Sequence, residues 1–322
     1  MTATSGPIGR TNGPKPSLRR KGLAGSILAD RLATAVLWAT GCFVLLILGG
    51  IIFDFASASW GVISPSFVLD GPSRTALGGI GPFLWNSVYV LVLAMVISVP
   101  LGLLGAIYMA DYASQNRVTD AIRFAEEAIS SVPSIVVGLF GMILFVQYFK
   151  VGQSALSGAL ALSMFNLPLM ARLAEQALRA VPQDERSASL ALGATKWQTI
   201  RHVVLPLAIP GVTTAIILTA GRAFGEAAVL IFTSGVSNLA APYHYDFTNL
   251  DLTNPSSPWS PFHHATTLST AIWSISTEGA EGNAFVSQIL NGTAAILIAT
   301  VLIFNLGARF LSRLLTRRLT AA

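Results

Sequence analysis

The sequence is poor in charged residues and nearly free of cysteine. Asp, Glu, Lys and Arg make up 11% of its 322 residues, whereas soluble domains carry about 25%. So little charge leaves too little polar surface to face water, which excludes an ordinary soluble protein. Cys42 is the single cysteine, so an intrachain disulfide is excluded as well.

Several chemical motifs are also missing. No G-x-x-x-x-G-K-[S/T] run is present, so the chain has no phosphate loop for ATP. There is no G-x-S-x-G nucleophile turn, and His202, His263 and His264 have no metal-ligand spacing with a carboxylate. We therefore predict no catalytic residues, no metal site and no cofactor bound by this chain.

Long apolar runs are abundant instead. A helix needs roughly 20 apolar residues to cross the hydrocarbon core, and none of the runs alternates like a strand of an outer-membrane barrel. The sequence predicts an all-α integral membrane protein, in contact with lipid, with about six transmembrane helices. These spans cover Leu32–Phe53, Phe83–Ala110, Ile129–Phe149, Ala155–Ala171, Ile209–Thr233 and Phe285–Leu311.

The distribution of the basic residues indicates which side of the membrane each connection faces. Of the 20 Lys and Arg residues, Arg74 and Lys150 fall on one side of the predicted spans, Arg222 lies within a span, and the others fall on the opposite side. Because Lys and Arg accumulate on the cytoplasmic side, we predict cytoplasmic N- and C-termini. The net charge of +5 is thereby explained without a nucleic-acid partner.

Composition divides the chain into segments. Residues 1–25 are rich in Gly, Pro, Ser and basic residues and predict a disordered cytoplasmic tail. Residues 26–322 form the membrane domain, whose first span follows without a cleavage site. Residues 235–284 predict an external loop that is acidic and lacks Lys and Arg. Trp259, Phe262 and Trp273 give this loop apolar side chains to bury, so we expect part of it to be ordered.

Residues 182–206 predict a helical elbow on the cytoplasmic side. A first helix over Gln183–Leu192 ends at Gly193, which can take the left-handed conformation. A second helix runs from Thr195 to Val204 and is expected to end at Pro206. Such an elbow could fit the groove of a partner protein or lie on the lipid surface.

The elbow resembles the "EAA" loop of permease subunits in bacterial ATP-driven (ABC) importers. That loop reads E-A-A, three residues, Gly, nine residues, I-x-L-P, and Ala188, Gly193, Leu205 and Pro206 stand in register with it. Ser187 replaces its Glu, and Glu185 and Asp184 are the candidate substitutes. The resemblance implies a type I permease bundle and a coupling contact between the elbow and a separate ATPase.

Further stretches resemble the phosphate-specific permeases of PstA type. They lie in order along the chain at residues 79–82, 100–112, 132–141, 167–172 and 221–235. The resemblance implies a permease of the bacterial inner membrane that works with a second permease subunit of PstC type. It also implies a PstB-type ATPase dimer that binds ATP and Mg, and an external phosphate-binding protein of PstS type.

Polar residues within the spans are candidates for the substrate pathway. Arg222 and Glu226 are spaced four apart in an apolar run, so they are expected to pair on one helix face. The pair either holds helices together or offers the Arg222 guanidinium to phosphate. Gly221 and Gly225 have the same spacing and would admit a neighbouring helix.

Arg172 at the inner end of the fourth span is either a second anion station or a positive-inside anchor. The resemblance associates Arg172, Arg222 and Glu226 with phosphate passage. Ser130, Ser131 and Ser134 surround Pro133, where hydroxyls can satisfy freed backbone groups or bind an anion.

Four functions compete at this point. A phosphate-importer permease agrees with all of these patterns, and the same architecture could carry another oxyanion or a small nutrient. An intramembrane enzyme would need a catalytic dyad or metal ligands, and the spans contain neither pattern. A channel would not need the elbow. The sequence therefore predicts a permease subunit.

Overall fold

The computed structural model describes residues 21–73, 76–114, 116–236, 245–278 and 285–320. Every regular element in these ranges is helical, which confirms the predicted all-α class. Three helices include a π-helical turn, labelled π1 to π3. In chain order the elements are α1 (Lys21–Ser59), α2 (Pro65–Leu69), α3 (Gly81–Ile107), π1 (Tyr108–Tyr112), α4 (Arg117–Ser131), α5 (Ser134–Gly141), π2 (Met142–Tyr148), α6 (Ala155–Arg179), α7 (Gln183–Ala191), α8 (Lys196–Thr199), π3 (Ile200–Val204), α9 (Leu205–Phe224), α10 (Ala228–Thr233), α11 (Leu268–Glu278) and α12 (Val286–Thr320).

The chain divides into two units, residues 1–53 and residues 54–322. The described part of the first unit is residues 21–53 of α1, and the α1 segment Ile27–Ser59 is long and apolar enough to span a membrane. Helix α1 begins at Lys21, inside the predicted tail. Residues 1–20 of that tail lie outside the described residues.

The second unit is built around α3, α6 and α9, which pack along one another. Small residues allow the close packing of these helices, as membrane interfaces require. Helix α12 packs on α9, and α5 and α10 pack on each other and on α6. The shared core contains Val90, Ala94, Leu162, Phe165, Ala220, Ala223 and Phe224.

The predicted third span is not one straight helix. Helix α4 and the segment formed by α5 and π2 meet at an angle of 99°. The break falls at Val132, which is extended, and at Pro133, which caps α5. Proline lacks an N–H and disfavours helical backbone in the residue before it. The described residues therefore contain five long apolar spans, or six when this bent pair is counted as one.

The predicted fifth span, Ile209–Thr233, also has different boundaries. A continuous helical segment runs from Lys196 through π3 to Phe224, and α10 follows as a separate short helix. Helix α9 is capped by Gly225, whose backbone freedom makes glycine a poor residue within a helix. The break between α9 and α10 therefore contains Glu226, which the sequence placed inside a helix.

The elbow has the predicted shape, with one correction. Gly193 adopts φ +87°, the left-handed conformation that ends α7. Thr195 then caps α8 in a capping box with Gln198. Pro206 does not end the second helix, because π3 precedes it and shifts the hydrogen bonds so that the Leu205 N–H reaches the Ile200 carbonyl. The elbow therefore continues directly into α9.

Residues 245–267 pack against the start of α3, at the end of the second unit opposite the elbow. The Tyr89 hydroxyl donates to the Trp259 carbonyl at 2.6 Å, and the Trp85 indole N–H donates to the Pro258 carbonyl at 2.9 Å. Burial lowers the pKa of His263, whose Nε2 lies 3.0 Å from Asn86 Oδ1. Residues 237–244 and 279–284 of the predicted external loop lie outside the described residues.

Candidate functional site

Arg222 lies in the last turn of α9, and its guanidinium carbon is 4.3 Å from the centroid of the Phe165 ring. Phe165 is buried in α6, while Arg222 is exposed. A guanidinium over an aromatic face is attracted by the ring quadrupole, most strongly where water is excluded. The ring therefore holds the cation in place without neutralising its charge.

This contact lies near the middle of α6. Phe165 is ten residues after Ala155, the first residue of α6, which corresponds to about 15 Å at 1.5 Å per residue. The hydrocarbon core is about 30 Å thick. A cation at such a depth is costly and usually marks a partner or a substrate pathway.

The predicted ion pair between Arg222 and Glu226 is not formed. Both residues are described, and the ion pairs of the described chain do not include one between them. The prediction assumed one continuous helix, whereas α9 ends at Phe224 and Glu226 lies in the following break. There the Glu226 carbonyl accepts a hydrogen bond from the Ser269 hydroxyl at 3.0 Å.

The two glycines near Arg222 have different surroundings. A Cβ at Gly221 would lie 3.0 Å from Oδ1 of Asn305 on α12, so Gly221 admits a neighbouring helix as predicted. Gly225 has no such neighbour within 4 Å except the Arg222 carbonyl at 4.0 Å, and the prediction for it is wrong. An amide from α12 therefore lies against the residue that precedes Arg222.

Arg172 lies seven residues beyond Phe165 on α6, about 10 Å closer to the elbow. It lines a cavity of about 480 Å³ with charged residues of α4 and α6. The described ion pairs give Arg172 no carboxylate partner. Arg172 and the ring that holds Arg222 therefore lie along one helix, α6, at different positions, while Arg222 itself is on α9.

A second set of arginines in this cavity is paired. The Glu175 carboxylate, 7% exposed, accepts hydrogen bonds from Arg123 on α4 at 2.7 Å and from Arg179 one turn away at 2.8 Å. Arg179 also donates to the Met109 carbonyl at 2.7 Å. This network joins α4, α6 and π1 at the elbow end.

The predicted serines surround the break between α4 and α5. Ser130 and Ser131 are exposed and Ser134 is half-buried. Ser131 Oγ donates to the Ala128 carbonyl at 2.7 Å, so this hydroxyl already serves a backbone carbonyl at the end of α4. The structure does not bring these serines together with Arg222 in any hydrogen bond that it describes.

The predicted coupling residues lie on or next to the elbow. Glu185 and Ala188 are exposed on α7, and Gly193 is exposed at the turn. Leu205 is half-buried and packs against the core below the elbow. Pro206 is exposed at the start of α9. Leu192 is 90% exposed and Leu190 and Trp197 about half exposed, so the elbow carries exposed apolar side chains.

Sequence reasoning missed Phe165, Asn305 and the Glu175 network. Asn305 had a usable signal, since it is an amide within the apolar run of the sixth span. Phe165 had none, because an aromatic in an apolar helix is ordinarily a core residue. The pairing of Glu175 with Arg123 joins residues far apart in the chain and depends on the fold.

Comparison with known proteins agrees with this architecture. The family model for the inner-membrane component of binding-protein-dependent transport systems matches residues 98–321. The "Probable ABC transporter permease protein YqgI" of Bacillus subtilis is 42% identical over 295 residues, covering 91% of this chain and 98% of that relative. The "Phosphate transport system permease protein PstA" of Yersinia pestis is 34% identical over 241 residues, covering 74% and 78%.

Solved structures show the same fold. A bacterial alginate ABC transporter in complex with its alginate-bound periplasmic protein has a chain with a TM-score of 0.63 at 15% identity, covering 91% of this chain and 97% of that one. The methionine ABC transporter MetNI in an inward-facing conformation gives 0.51 at 21% identity, covering 73% and 93%.

Proposed function

This chain belongs to the family of inner-membrane components of binding-protein-dependent transport systems and is an ABC importer permease subunit, and we propose that the solute it imports is inorganic phosphate. Arg222 provides the observation that carries this proposal. It is a cation at mid-depth, held by an aromatic ring and, among the described ion pairs, without a carboxylate.

A guanidinium suits a phosphate oxyanion because its planar fork of N–H donors matches two oxygens. Phe165 orients Arg222 but leaves those donors free. The similarity to phosphate permeases such as that of Yersinia pestis supports the same substrate class. Arg172 gives a second cation about 10 Å further along α6, where phosphate would pause before release.

The partners follow from the same architecture. Half a pathway requires a second permease subunit, and the exposed elbow offers Leu192 and Trp197 to an ATPase dimer that binds ATP and Mg and hydrolyses the ATP. An external phosphate-binding protein delivers the solute to the end opposite the elbow. The Lys and Arg distribution supports an elbow and termini on the cytoplasmic side of the inner membrane.

Uptake of labelled phosphate tests the proposal directly. Proteoliposomes containing the purified complex and its binding protein should accumulate labelled phosphate with ATP inside, and Arg222→Met should abolish this accumulation while the complex still assembles. Unlabelled sulfate, nitrate and molybdate in excess should not compete. Uptake of labelled sulfate, nitrate or molybdate by a complex that does not take up phosphate would instead favour a permease for another oxyanion.

The second candidate is a permease for another oxyanion or a small nutrient. It is favoured by the YqgI relative, whose name states no substrate although it covers 91% of this chain. A neutral or cationic nutrient would not need Arg222. Uptake of a labelled neutral or cationic nutrient that survives Arg222→Met, without phosphate uptake, would therefore move the assignment to that class.

A further inference from the structure

The first helix of the elbow has almost no apolar attachment to the rest of the chain. Helix α7 contains no buried residue, and its Leu190 is about half exposed. Hydrophobic packing usually fixes a helix in place. The position of α7 must therefore depend on polar contacts.

Arg186 supplies the main contact of this kind. Its guanidinium pairs with the Asp111 carboxylate, and the two side chains are only 12% and 6% exposed. The same guanidinium donates to the Leu178 carbonyl at 2.6 Å. One side chain on α7 thus reaches π1, at the end of α3, and the end of α6.

Asp111 in turn depends on Arg186. Its Oδ2 atom is buried and has no hydrogen-bond partner among the described residues. A buried carboxylate left without a cation is strongly unfavourable. Breaking the pair therefore costs more than an exposed ion pair would, and the two residues are expected to stay together when the elbow moves.

The other half of the elbow is joined to α7 by a second polar contact. The Ser189 and Thr199 hydroxyls lie 2.9 Å apart, and Thr199 is buried. Helix α3 is a single long helix that packs along α6 through its core face. A displacement of α7 can thus be passed to α3 by Asp111 while the turn at Gly193 keeps its shape.

We propose that the Arg186–Asp111 pair is the tie through which the ATPase-driven movement of the elbow is transmitted to α3. Both are positioning residues and neither contacts the solute. The inference rests on the proposed docking of the ATPase on the elbow but not on the identity of the solute.

The first test separates hydrolysis from transport in the reconstituted complex. Asp111→Asn should lower solute uptake per ATP by about tenfold or more, because a neutral amide no longer holds the buried guanidinium, while the ATP hydrolysis rate stays within about twofold. The matched control is Asp120→Asn, an exposed carboxylate on α4 with no described ion pair. Unchanged uptake per ATP in Asp111→Asn would overturn the proposal.

A cross-link keeps the test decisive even if Asp111→Asn assembles poorly. Asp111→Cys and Arg186→Cys in a Cys42→Ala chain can be joined by a reducible bifunctional thiol reagent whose length matches the lost side chains. The joined form should transport and the reduced form should not. An active reduced form that cross-linking stops would show that the pair must open, and a joined form without transport would equally contradict a tie.

A third measurement does not need the solute. An environment-sensitive dye on Leu104→Cys, an exposed position on α3 two turns before Asp111, should respond to ATP and vanadate in the Cys42→Ala complex. Asp111→Asn should lose this response while hydrolysis continues. A response retained in Asp111→Asn would overturn the tie. A response lost only in Asp111→Asn, in a complex that takes up no phosphate even without this substitution, would count only against phosphate as the solute.

Discussion

Arginines in two regions of the second unit differ in whether a carboxylate pairs with them. At mid-depth, Arg222 is exposed and rests on the Phe165 ring, with no carboxylate among its described contacts. At the elbow end, Arg123 and Arg179 share the buried Glu175 carboxylate. The costly position is thus the one that lacks a neutralising partner.

This difference distinguishes an arginine that is available to bind an anion from one that holds helices together. An arginine already paired with a carboxylate has its donors occupied, so an arriving anion must displace that partner. An arginine on an aromatic face keeps its donors and its charge. The comparison predicts that changes at Arg222 act on transport, whereas changes in the Glu175 network act first on stability.

Arg222→Lys should have the largest effect on transport. Lysine keeps the charge but loses the planar fork of donors, and we expect phosphate uptake to fall by about 100-fold, the loss of two charge-assisted hydrogen bonds of about 1.5 kcal/mol each. The melting temperature of the purified complex should stay close to the original value. Labelled uptake and thermal unfolding of the same preparation measure both quantities.

The control for this change is Arg117→Lys, an exposed arginine at the start of α4, which should leave uptake unaltered. If Arg222→Lys instead lowers the melting temperature and uptake in parallel, Arg222 supports the fold, and the contrast with the elbow end disappears.

The sequence predicted features that depend on local chemistry. Gly193 was correctly predicted to end a helix because its left-handed turn needs no distant partner. The prediction of six apolar runs agrees with the five or six spans of the structure. Pro133, in contrast, was expected within one span, and the chain instead bends by 99° there. The angle at such a proline is set by how the two flanking helices pack against the rest of the fold, which the local sequence does not specify.

The candidate site was less accessible to sequence reasoning. The spacing of Arg222 and Glu226 fits a pair only if the helix continues, and the break at Gly225 removed that condition. The partner of Arg222 is Phe165, which is 57 positions earlier in the chain and carries no polar signal. Such contacts are set by how α6 and α9 pack and cannot be derived from the spacing within either helix.

Glu175→Gln should have an intermediate effect and act on stability. It leaves Arg123 and Arg179 without their carboxylate. Breaking a fully buried pair costs about 3–5 kcal/mol, but these arginine side chains are 46% and 51% exposed, so we expect roughly 1–2 kcal/mol after solvent screening. Thermal unfolding of the purified complex should show a lower midpoint, with phosphate affinity unchanged.

Glu127→Gln is the matched control, since Glu127 lines the same cavity and is exposed; its melting temperature should not change. A Glu175→Gln complex that melts normally but binds phosphate more weakly would place this network in the transport pathway, and would remove the distinction between support and site.

Phe165→Leu should have the smallest effect, and it tests whether the ring contributes to the site. Leucine keeps an apolar side chain in the buried position but offers no aromatic face to Arg222. A cation–π contact contributes about 0.5–2 kcal/mol, so the apparent KM for phosphate should rise by roughly 2- to 30-fold, at 1.4 kcal/mol per factor of ten. Phe165→Tyr keeps the ring and should retain most of the original KM.

The distinction between these two variants depends on which kinetic parameter changes. If the ring only fills space, Phe165→Leu and Phe165→Tyr should both lower the amount of assembled complex and leave the KM of the remaining complex unaltered. If the ring positions the guanidinium, assembly should be similar in both variants, and the KM should rise in the leucine variant alone. Because Arg222 has no described carboxylate to hold it, the loss of the ring frees its side chain to sample more rotamers, and phosphate binding must then restrict them. An unchanged KM in Phe165→Leu would mean that the fork is oriented by another contact, for which the Asn305 amide beside Gly221 is the next residue to test.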